Sequence, residues 1–365
     1  MDLGTTKVCA AVISPVGEPL GLAVYPCPDW LESHPTREEL GRLVAEAVNE
    51  ADAMSGRHRS RRIWLSLPGR EARYGEAAGM ARVGAQARRV TRADLERALQ
   101  AAAAPDRNTL HRLIVASALD GVEMIEEPVG RIGQRLEVRV LLIEAEAQRC
   151  AAIHQALADN GLEVQGFTAG VLALDSVLTP AEKEIGTAVL DFGAVHTSIA
   201  VFARGAPRFA ATIPLGGLHV TRDLAVAFGI PLMKAETEKI APEGSDAGRS
   251  DLREQVIGAR VEEILEHARK ALERAGWLAR LPGHCVLTGG GALYGRLPDL
   301  AEKVLGGPAR VGLPGLEASG GMVARPGYAV IMGLAAAVRR YGIPSMAPKE
   351  VGWWRSKSPQ RSMPV

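Results

Sequence analysis

Three stretches of the sequence predict an α/β chain built from two duplicated halves, with an α+β segment inserted in the first. Residues 2–12 (DLGTTKVCAAV) and 190–201 (LDFGAVHTSIAV) both run Asp-x-Gly, small or hydroxyl residues, then Ala-Val, and both approach a turn with Gly and Pro (VGEPL, RGAPR). A third strand, Cys285–Leu287, runs into Gly289-Gly290-Gly291. Between the repeats, residues 70–143 change character. One Asp-x-Gly is common in turns. Two at matched positions, each opening a half of the chain, are an internal repeat and a far stronger signal.

The elements follow in order. Val8–Val12 reads as a buried strand, with Pro15-Val16-Gly17 as its hairpin turn. Thr36–Met54 carries Leu40, Leu43, Val44, Ala47 and Val48 at helical spacing, and Thr36 with Glu39 forms a capping box. Arg57–Arg62 (RHRSRR) is a solvated basic loop, since no aromatic residue interleaves it. Ile63–Leu67 is a strand. Thr91 caps a helix over 92–103, and Leu113–Ala118 and Leu136–Ile143 are strands of a compact, separately packed α+β insertion. Gln148–Asn160 is an amphipathic helix stopped by Asn160-Gly161, and Ala169–Leu178 is another helix. The second half opens with Thr187–Asp191, continues with Ile199–Ala203 and Arg208–Ile213, and enters a helix at His219–Phe228. After a polar loop over Pro242–Ser250 comes a long helix, Asp251–Ala275. Another helix begins near Leu297. From Pro344 the chain is rich in Pro, Ser and basic residues and reads as a disordered tail.

Composition narrows the function. With 365 residues and 47% hydrophobic content the chain has enough material for two cores. A formal net charge of +1 gives no global field toward nucleic acid, so none is expected as partner. Cys9, Cys27, Cys150 and Cys285 are far apart, which fits reduced thiols in a cytoplasm and argues against zinc. No signal peptide opens the sequence. The longest strongly apolar run, Gly327–Val338, is shorter than the ~20 residues that span a bilayer and reads as a buried helix.

The repeated loop has a chemistry of its own. A strand ending in Asp, a Gly turn, then Thr or Ser and a returning strand makes a hairpin that can clasp phosphates. Gly4 lets backbone approach an anion, and Thr5 and Thr6 add hydroxyls and N–H groups. Asp2 holds a hydrated Mg²⁺, which needs few carboxylates, and Asp191 faces it from the second hairpin. The third element, VLTGGGALYGRLPDLAEKV, either receives an adenine or ribose on its glycines or is a strand-to-helix turn.

In sequence order, DLGTTKV, the inserted region, LDFGAVHTSIAV, IPLGGLHVTRDLA and CVLTGGGALYGRLPDLAEKVLG resemble the actin-like ATPase superfamily. Within it the chain is similar to the FtsA family of bacterial cell-division proteins. The resemblance runs from Met1 to about Tyr341, most specifically through VTRADLERAL, PVGRIGQRLEVRV, VLT at 177–179, and the run 213–225 followed by IPLMKAETEK. It implies an actin-like two-lobed fold of duplicated ribonuclease-H-like halves with an inserted α+β subdomain. The implied division is 1–69 plus 144–183 for the first lobe core, 70–143 for the insertion, 184–223 plus 281–343 for the second lobe core, 224–280 for its helical subdomain, and 344–365 for a flexible tail. It implies ATP with Mg²⁺ as cofactors, Asp2 and Asp191 as the catalytic pair holding the metal through water, and a nucleotide site of Gly4, Thr5, Thr6, Lys7, Gly193, His196, Thr197, Gly216, Gly217, Glu236, Lys239, Gly289, Gly290, Gly291 and Ala292. Glu236 and Lys239 serve ribose and base. It also implies self-association into filaments, the FtsZ C-terminal tail and other divisome membrane proteins as partners, and a place at the division septum on the cytoplasmic side of the inner membrane.

The sequence departs from the family pattern in four places. It begins at the Asp of the first hairpin, so the front half of the first strand is missing or the start is misassigned. Ala194-Val195 replace glycines and Ser198 an acidic residue. The segment between Lys239 and Asp251 is shortened. The tail is short, with Pro359 and Pro364 near its end. Val195, being β-branched, resists positive φ and crowds a phosphate, so binding survives and hydrolysis is slow or absent. His196 is either a phosphate contact or a loop residue facing solvent. In the tail, Trp353, Trp354, Arg355 and Lys357 make either a weak peripheral membrane anchor or two stray tryptophans in a disordered segment. The rival readings are a pilus-assembly actin homologue, with the same fold and a different partner peptide, and a sugar kinase, for which no Asp is placed as a catalytic base.

Overall fold

The first half of the chain winds around a mixed six-stranded sheet. The computed structural model describes residues 1–344 except 15–17, 28–34, 57–59, 68, 104–108, 125–126, 242–246, 283–284, 316–324 and 342. The expected turn at Pro15–Gly17, the tail residues Trp353, Trp354, Arg355 and Lys357, and part of the loop over 242–250 lie outside the described residues. Strands β1 (Asp2–Leu3), β2 (Lys7–Ile13) and β3 (Pro19–Pro26) form an antiparallel meander. Helix α1 (Arg37–Ser55) packs on it, with the expected Thr36–Glu39 capping box at its start. Such a cap contributes about 1 kcal/mol. Strand β4 (Arg62–Leu67) then lies parallel to β1, with Asp2 opposite Ser66.

The insertion follows a 3₁₀ turn at Gly69–Glu71: β5 (Ala72–Arg82), β6 (Arg88–Arg89), α2 (Arg92–Ala102), β7 (Thr109–Leu119), β8 (Val122–Met124), β9 (Ile132–Gly133) and β10 (Arg135–Ala145). Four of these strands make a sheet in the order β5-β10-β7-β8. Thr91 caps α2 in a box closed by Asp94, whose buried carboxylate also takes Arg88 and Arg97. Those partners, Arg88 foremost, hold it far below the usual carboxylate range. The eleven-residue strand β5 has no signal in the sequence, because ARYGEAAGMAR is rich in Gly and Ala, poor strand formers. It forms because β10 pairs with it along its whole length. Gly79 also admits α2, since a Cβ there would lie 2.2 Å from Ala98 O and Ala102 N.

The insertion is not packed as separately as the sequence suggests. Leu136, Val138 and Val140 of β10 share a core with Ala81, Val83, Val90, Ala98 and Leu119. Further along the same strand, Leu141, Ile143 and Ala145 join Leu110 in the core of the first lobe. Two cores meet in one strand.

The chain returns through α3 (Ala147–Ala158), which ends before Gly161 at φ +73°, and β11 (Glu163–Ala169), parallel to β4. The helix expected at Ala169–Leu178 is a 3₁₀ helix, Gly170–Val177. Helix α4 (Pro180–Ile185), capped by Thr179 and Glu182, leads into the second half.

There the pattern repeats: β12 (Thr187–Phe192), β13 (Thr197–Ala203), β14 (Ala206–Ile213), α5 (Gly217–Phe228), α6 (Leu232–Ile240), α7 (Ala247–Arg274), β15 (Cys285–Thr288), α8 (Leu297–Leu305) and β16 (Ala309–Val311). The sheet runs β14-β13-β12-β15-β16. β15 lies parallel to β12 with Asp191 opposite Thr288, the counterpart of Asp2 opposite Ser66. Helix α7 starts four residues before its expected start. It buries Ile257, Val261, Ile264, Leu265, Ala268 and Leu272 against this sheet. Finally α9 (Ala329–Tyr341) crosses back to the first lobe, and β17 (Ile343–Pro344) pairs with β11. All four cysteines are buried and none forms a disulfide.

Candidate functional site

A cleft of about 580 Å³ opens between the two lobes, at the ends of β1, β12 and β15. Each half contributes a hairpin of the same local geometry. A Cβ on Gly4 would lie 2.8 Å from Lys7 O, and one on Gly193 2.8 Å from His196 O. Both loops therefore close on a carbonyl three residues ahead, and Lys7 and His196 occupy equivalent places. Gly4, Thr5, Thr6 and Lys7 line one wall, and Gly193, Ala194 and His196 the other.

Asp2 and Asp191 face each other at the head of the cleft. Ser66 donates its hydroxyl to Asp2 Oδ1 at 2.5 Å, fixing one carboxylate oxygen. Desolvation, then the facing charge of Asp2, pushes the Asp191 carboxyl up to about 6, with Lys7 opposing. Two facing carboxylates are a natural seat for a divalent cation, which offsets their mutual repulsion. Their donors are all oxygen and few, which suits a hydrated, oxygen-loving ion that keeps several waters.

The glycine run stands where the sequence places it. Gly289 has φ +85°, and a Cβ there would lie 2.3 Å from Asp191 Oδ1 and 2.6 Å from Phe192 O. Gly290 and Gly291 continue the wall. Further in, Lys239 Nζ donates to Glu236 at 2.6 Å, to Thr221 Oγ1 at 2.9 Å and to Gly217 O at 3.2 Å, with all but Thr221 on the cleft wall.

Three expected residues stand elsewhere. Thr197 is fully buried and donates to Leu215 O, which ties the end of the hairpin to the loop before α5. Ala292 is buried in the second-lobe core. Gly216 stands behind the wall, where a Cβ would meet Gly193 O at 2.5 Å. The amides of Gly217 and Leu218 are taken by Gly193 O and Ala194 O, so these first N–H groups of α5 point at the hairpin and not into the cleft. The strain expected of Val195 is absent as well. No residue from Gly193 to His196 has positive φ, and Val195 does not line the cleft.

Other wall residues escaped the sequence reading. Tyr294 donates to Glu254 Oε2 at 3.0 Å at the apolar end, near Ile240, Ile257 and Leu293. Gly69 approaches the second lobe so closely that a Cβ would lie 2.6 Å from Ser198 Oγ and from Thr212 Oγ1. Lys7 Nζ donates to Gly327 O and lies 4.8 Å from the centre of the Tyr328 ring. Gly69, Glu254, Gly327 and Tyr328 stand in none of the motifs read from the sequence; they reach the cleft and Lys7 only through the fold.

A family model described as Cell division protein FtsA matches residues 188–333, and one described as SHS2 domain inserted in FTSA matches residues 69–144. The cell division protein FtsA of Pseudomonas aeruginosa is 31% identical to this chain, across 92% of the chain and 87% of that protein. That of Escherichia coli K12 is 29% identical, across 86% and 83%. Among solved structures, the PilM-PilN type IV pilus biogenesis complex superposes with a TM-score of 0.69 at 21% identity, covering 93% of this chain and 96% of that one. The ethanolamine utilization protein EutJ of Carboxydothermus hydrogenoformans gives 0.55 at 16%, covering 92% and 88%. These two neighbours share the actin-like fold. By the extent and identity of its match to the curated division proteins, the chain belongs to the FtsA family of cell division proteins.

Proposed function

We propose that the chain binds ATP with Mg²⁺ in the interlobe cleft, turns it over slowly or not at all, assembles into filaments, and links FtsZ to the cytoplasmic membrane at the septum. The observation that carries the nucleotide reading is the facing pair Asp2 and Asp191 beside a Gly289 backbone that leaves room for nothing larger. The residues present fit the group. Burial and then the facing charge of Asp2 raise the Asp191 pKa, and a cation between the two carboxylates would relieve that repulsion; about 580 Å³ suits a nucleotide. Asp2 and Asp191 would hold hydrated Mg²⁺, which neutralises phosphate charge. The loop amides and hydroxyls of Gly4–Thr6 and the Lys7 ammonium would take phosphate oxygens. Glu236 and Lys239 would take the ribose, and the Glu254–Tyr294 end the base. At the place where the family pattern puts an acidic residue, Ser198 offers only a hydroxyl, and that supports slow turnover.

Titration calorimetry with ATP in Mg²⁺ buffer tests the nucleotide reading; a flat titration sinks it. Pull-down with an FtsZ C-terminal tail peptide against a pilus-protein N-terminal peptide tests the partner. Capture by the pilus peptide alone would replace the division reading with the pilus one. Co-sedimentation with anionic liposomes, full chain against a chain ending at Glu350, tests the tail. Equal pelleting leaves a membrane partner protein as the anchor. Among the described residues no helix is long and apolar enough to cross a membrane.

A further inference from the structure

Helix α9 starts in the cleft and ends just before β17, the last strand of the first-lobe sheet among the described residues. Just before it, Gly327 O accepts from Lys7, and the Tyr328 ring faces the same ammonium. Ala329 and Val330, its first two residues, line the cleft. Its thirteen residues reach about 20 Å at 1.5 Å each. Along that length it is fastened to the 3₁₀ helix Gly170–Val177. Ser176 donates to Ala329 O at 2.9 Å, and a Cβ on Gly333 would lie 1.9 Å from Ala173 O. The hydrogen bond and the close backbone approach tie the two helices together.

The far end of α9 meets His111. This imidazole is 2% exposed, on β7 of the insertion. Its Nε2 accepts the Ala169 amide at 3.1 Å, with Thr168 Oγ1 at 3.2 Å. Accepting there leaves the ring proton on Nδ1, with the backbone of Tyr341 beside the ring. Burial lowers the ring's pKa to about 3, so it stays neutral and keeps this tautomer throughout the physiological range. His111 thus joins the insertion, the last turn of α9, and the residue before Gly170, which itself lines the cleft. Two residues beyond Tyr341, Ile343 and Pro344 pair with Phe167 and Gly166.

We propose that α9 and His111 form a mechanical link from the phosphate end of the cleft to the inserted subdomain and to the chain segment at Pro344. Resting on the nucleotide reading above, the link works by competition for Lys7. An anionic phosphate draws the ammonium from Gly327 O and the Tyr328 ring, and the start of α9 is freed to shift. The helix moves as a rod with the 3₁₀ helix beneath it. Tyr341 then carries the displacement to His111, and so to β7, and to the β17–β11 pairing. A ligand shifts such an element only by its differential affinity for the two arrangements, and the Lys7 contacts supply that difference.

Hydrogen exchange read by mass spectrometry tests the link on the full chain, with and without Mg²⁺ and a non-hydrolysable ATP analogue. Peptides over 2–13 and 285–295 report binding. Those over 109–119 and 335–344, which lie outside the phosphate wall, report the link and should change about fivefold or more. Tyr328→Leu, whose side chain does not line the cleft, should keep the change at 2–13 and lose it at both remote stretches. His111→Gln should keep it at 335–344 and lose it at 109–119. A wild-type chain that responds at 2–13 but not remotely overturns the link while sparing the nucleotide reading. So does a full remote response in both variants. No response at any peptide overturns both. The wild-type comparison decides even if a variant fails to fold.

Discussion

The backbone of Gly289 lies directly against the carboxylate of Asp191, leaving 2.3 Å between Oδ1 and the place a Cβ would take. With φ at +85°, the position excludes side chains twice over, by conformation and by contact. Gly289→Ala should therefore cost about 2 kcal/mol of stability and displace Asp191. Thermal unfolding and nucleotide titration should both fall. Gly290→Ala is the control. It faces open space on the same wall, so its melting temperature should stay within error of wild type. Equal behaviour of the two variants would show that the close approach does not matter.

The raised pKa of Asp191 makes the site pH-sensitive. The folded carboxyl titrates at about 6 against an ordinary 3.8, so between those values the folded chain binds more proton than the unfolded. Stability from this group is therefore greatest at low pH and declines as pH rises from about 4 to 6, then stays flat. Asp191→Asn should stabilise the Mg²⁺-free chain at pH 8 by on the order of 2 kcal/mol, read as a higher melting temperature. Mg²⁺ needs the ionised form, so Mg²⁺-dependent ATP affinity should drop by up to tenfold per pH unit below 6. Calorimetry in buffers of different ionisation enthalpy should detect a proton released on binding at pH 5.5. Affinity unchanged from pH 8 to pH 5 would remove Asp191 from the metal site.

Ser66 and Ser198 hold opposite stations. Ser66 donates to Asp2 Oδ1, and a hydrogen bond to a charged group contributes about 1.5 kcal/mol. Ser66→Ala should weaken Mg²⁺-dependent binding roughly tenfold while leaving Mg²⁺-free binding near wild type, a split that simple loss of folding does not produce. Ser198→Ala should change either by less than about threefold. Ser198 bears instead on turnover. Its hydroxyl sits where Gly69 comes closest, so a longer acidic side chain has no room there. Phosphate release should run well below 1 s⁻¹, the low end of ordinary enzyme rates. Ser198→Asp should not restore it.

Local chemistry made much of this fold readable. The boxes Thr36–Glu39 and Thr91–Asp94 announce their helices because the capping side chains are neighbours in sequence. The Asp-x-Gly repeat announces the paired hairpins for the same reason, and fourteen of the seventeen residues expected to hold nucleotide or metal line the cleft. What could not be read depends on distant partners. β5 is a strand only because β10 lies beside it. Thr197 has the residue type of a phosphate contact, yet its hydroxyl is committed to Leu215 O. Glu254, Tyr294 and Gly327 join the cleft from an α-helix, a bend and the 3₁₀ helix Pro326–Tyr328, with no shared motif. Val195 shows how a sound local argument fails. Its dislike of positive φ is real, but this loop never asks for it.

Strand β10 offers the sharpest separation of the insertion from the cleft, because successive stretches of it serve different cores. Leu136 is fully buried in the core shared with α2, whereas Leu141, five residues on, is 1% exposed in the core of the first lobe. Leu→Ala at a buried site costs about 3–5 kcal/mol wherever it is made. The consequences should differ by location. Leu136→Ala should loosen the insertion locally, seen as faster amide exchange over 88–102, with Mg²⁺-ATP affinity near wild type. Leu141→Ala removes a side chain from the core that also holds Leu65, Phe167 and Leu172, the core of the lobe carrying the first hairpin. It should lower the melting temperature of the whole chain and weaken nucleotide binding together. If residues 70–143 carry the self-association proposed above, sedimentation should show Leu136→Ala binding nucleotide yet assembling poorly. Matching losses of binding and assembly in both variants would mean that the insertion and the lobe unfold as one cooperative unit, with Arg208 of β14, which donates to Val115 O across the boundary at 2.7 Å, among the ties that make them so.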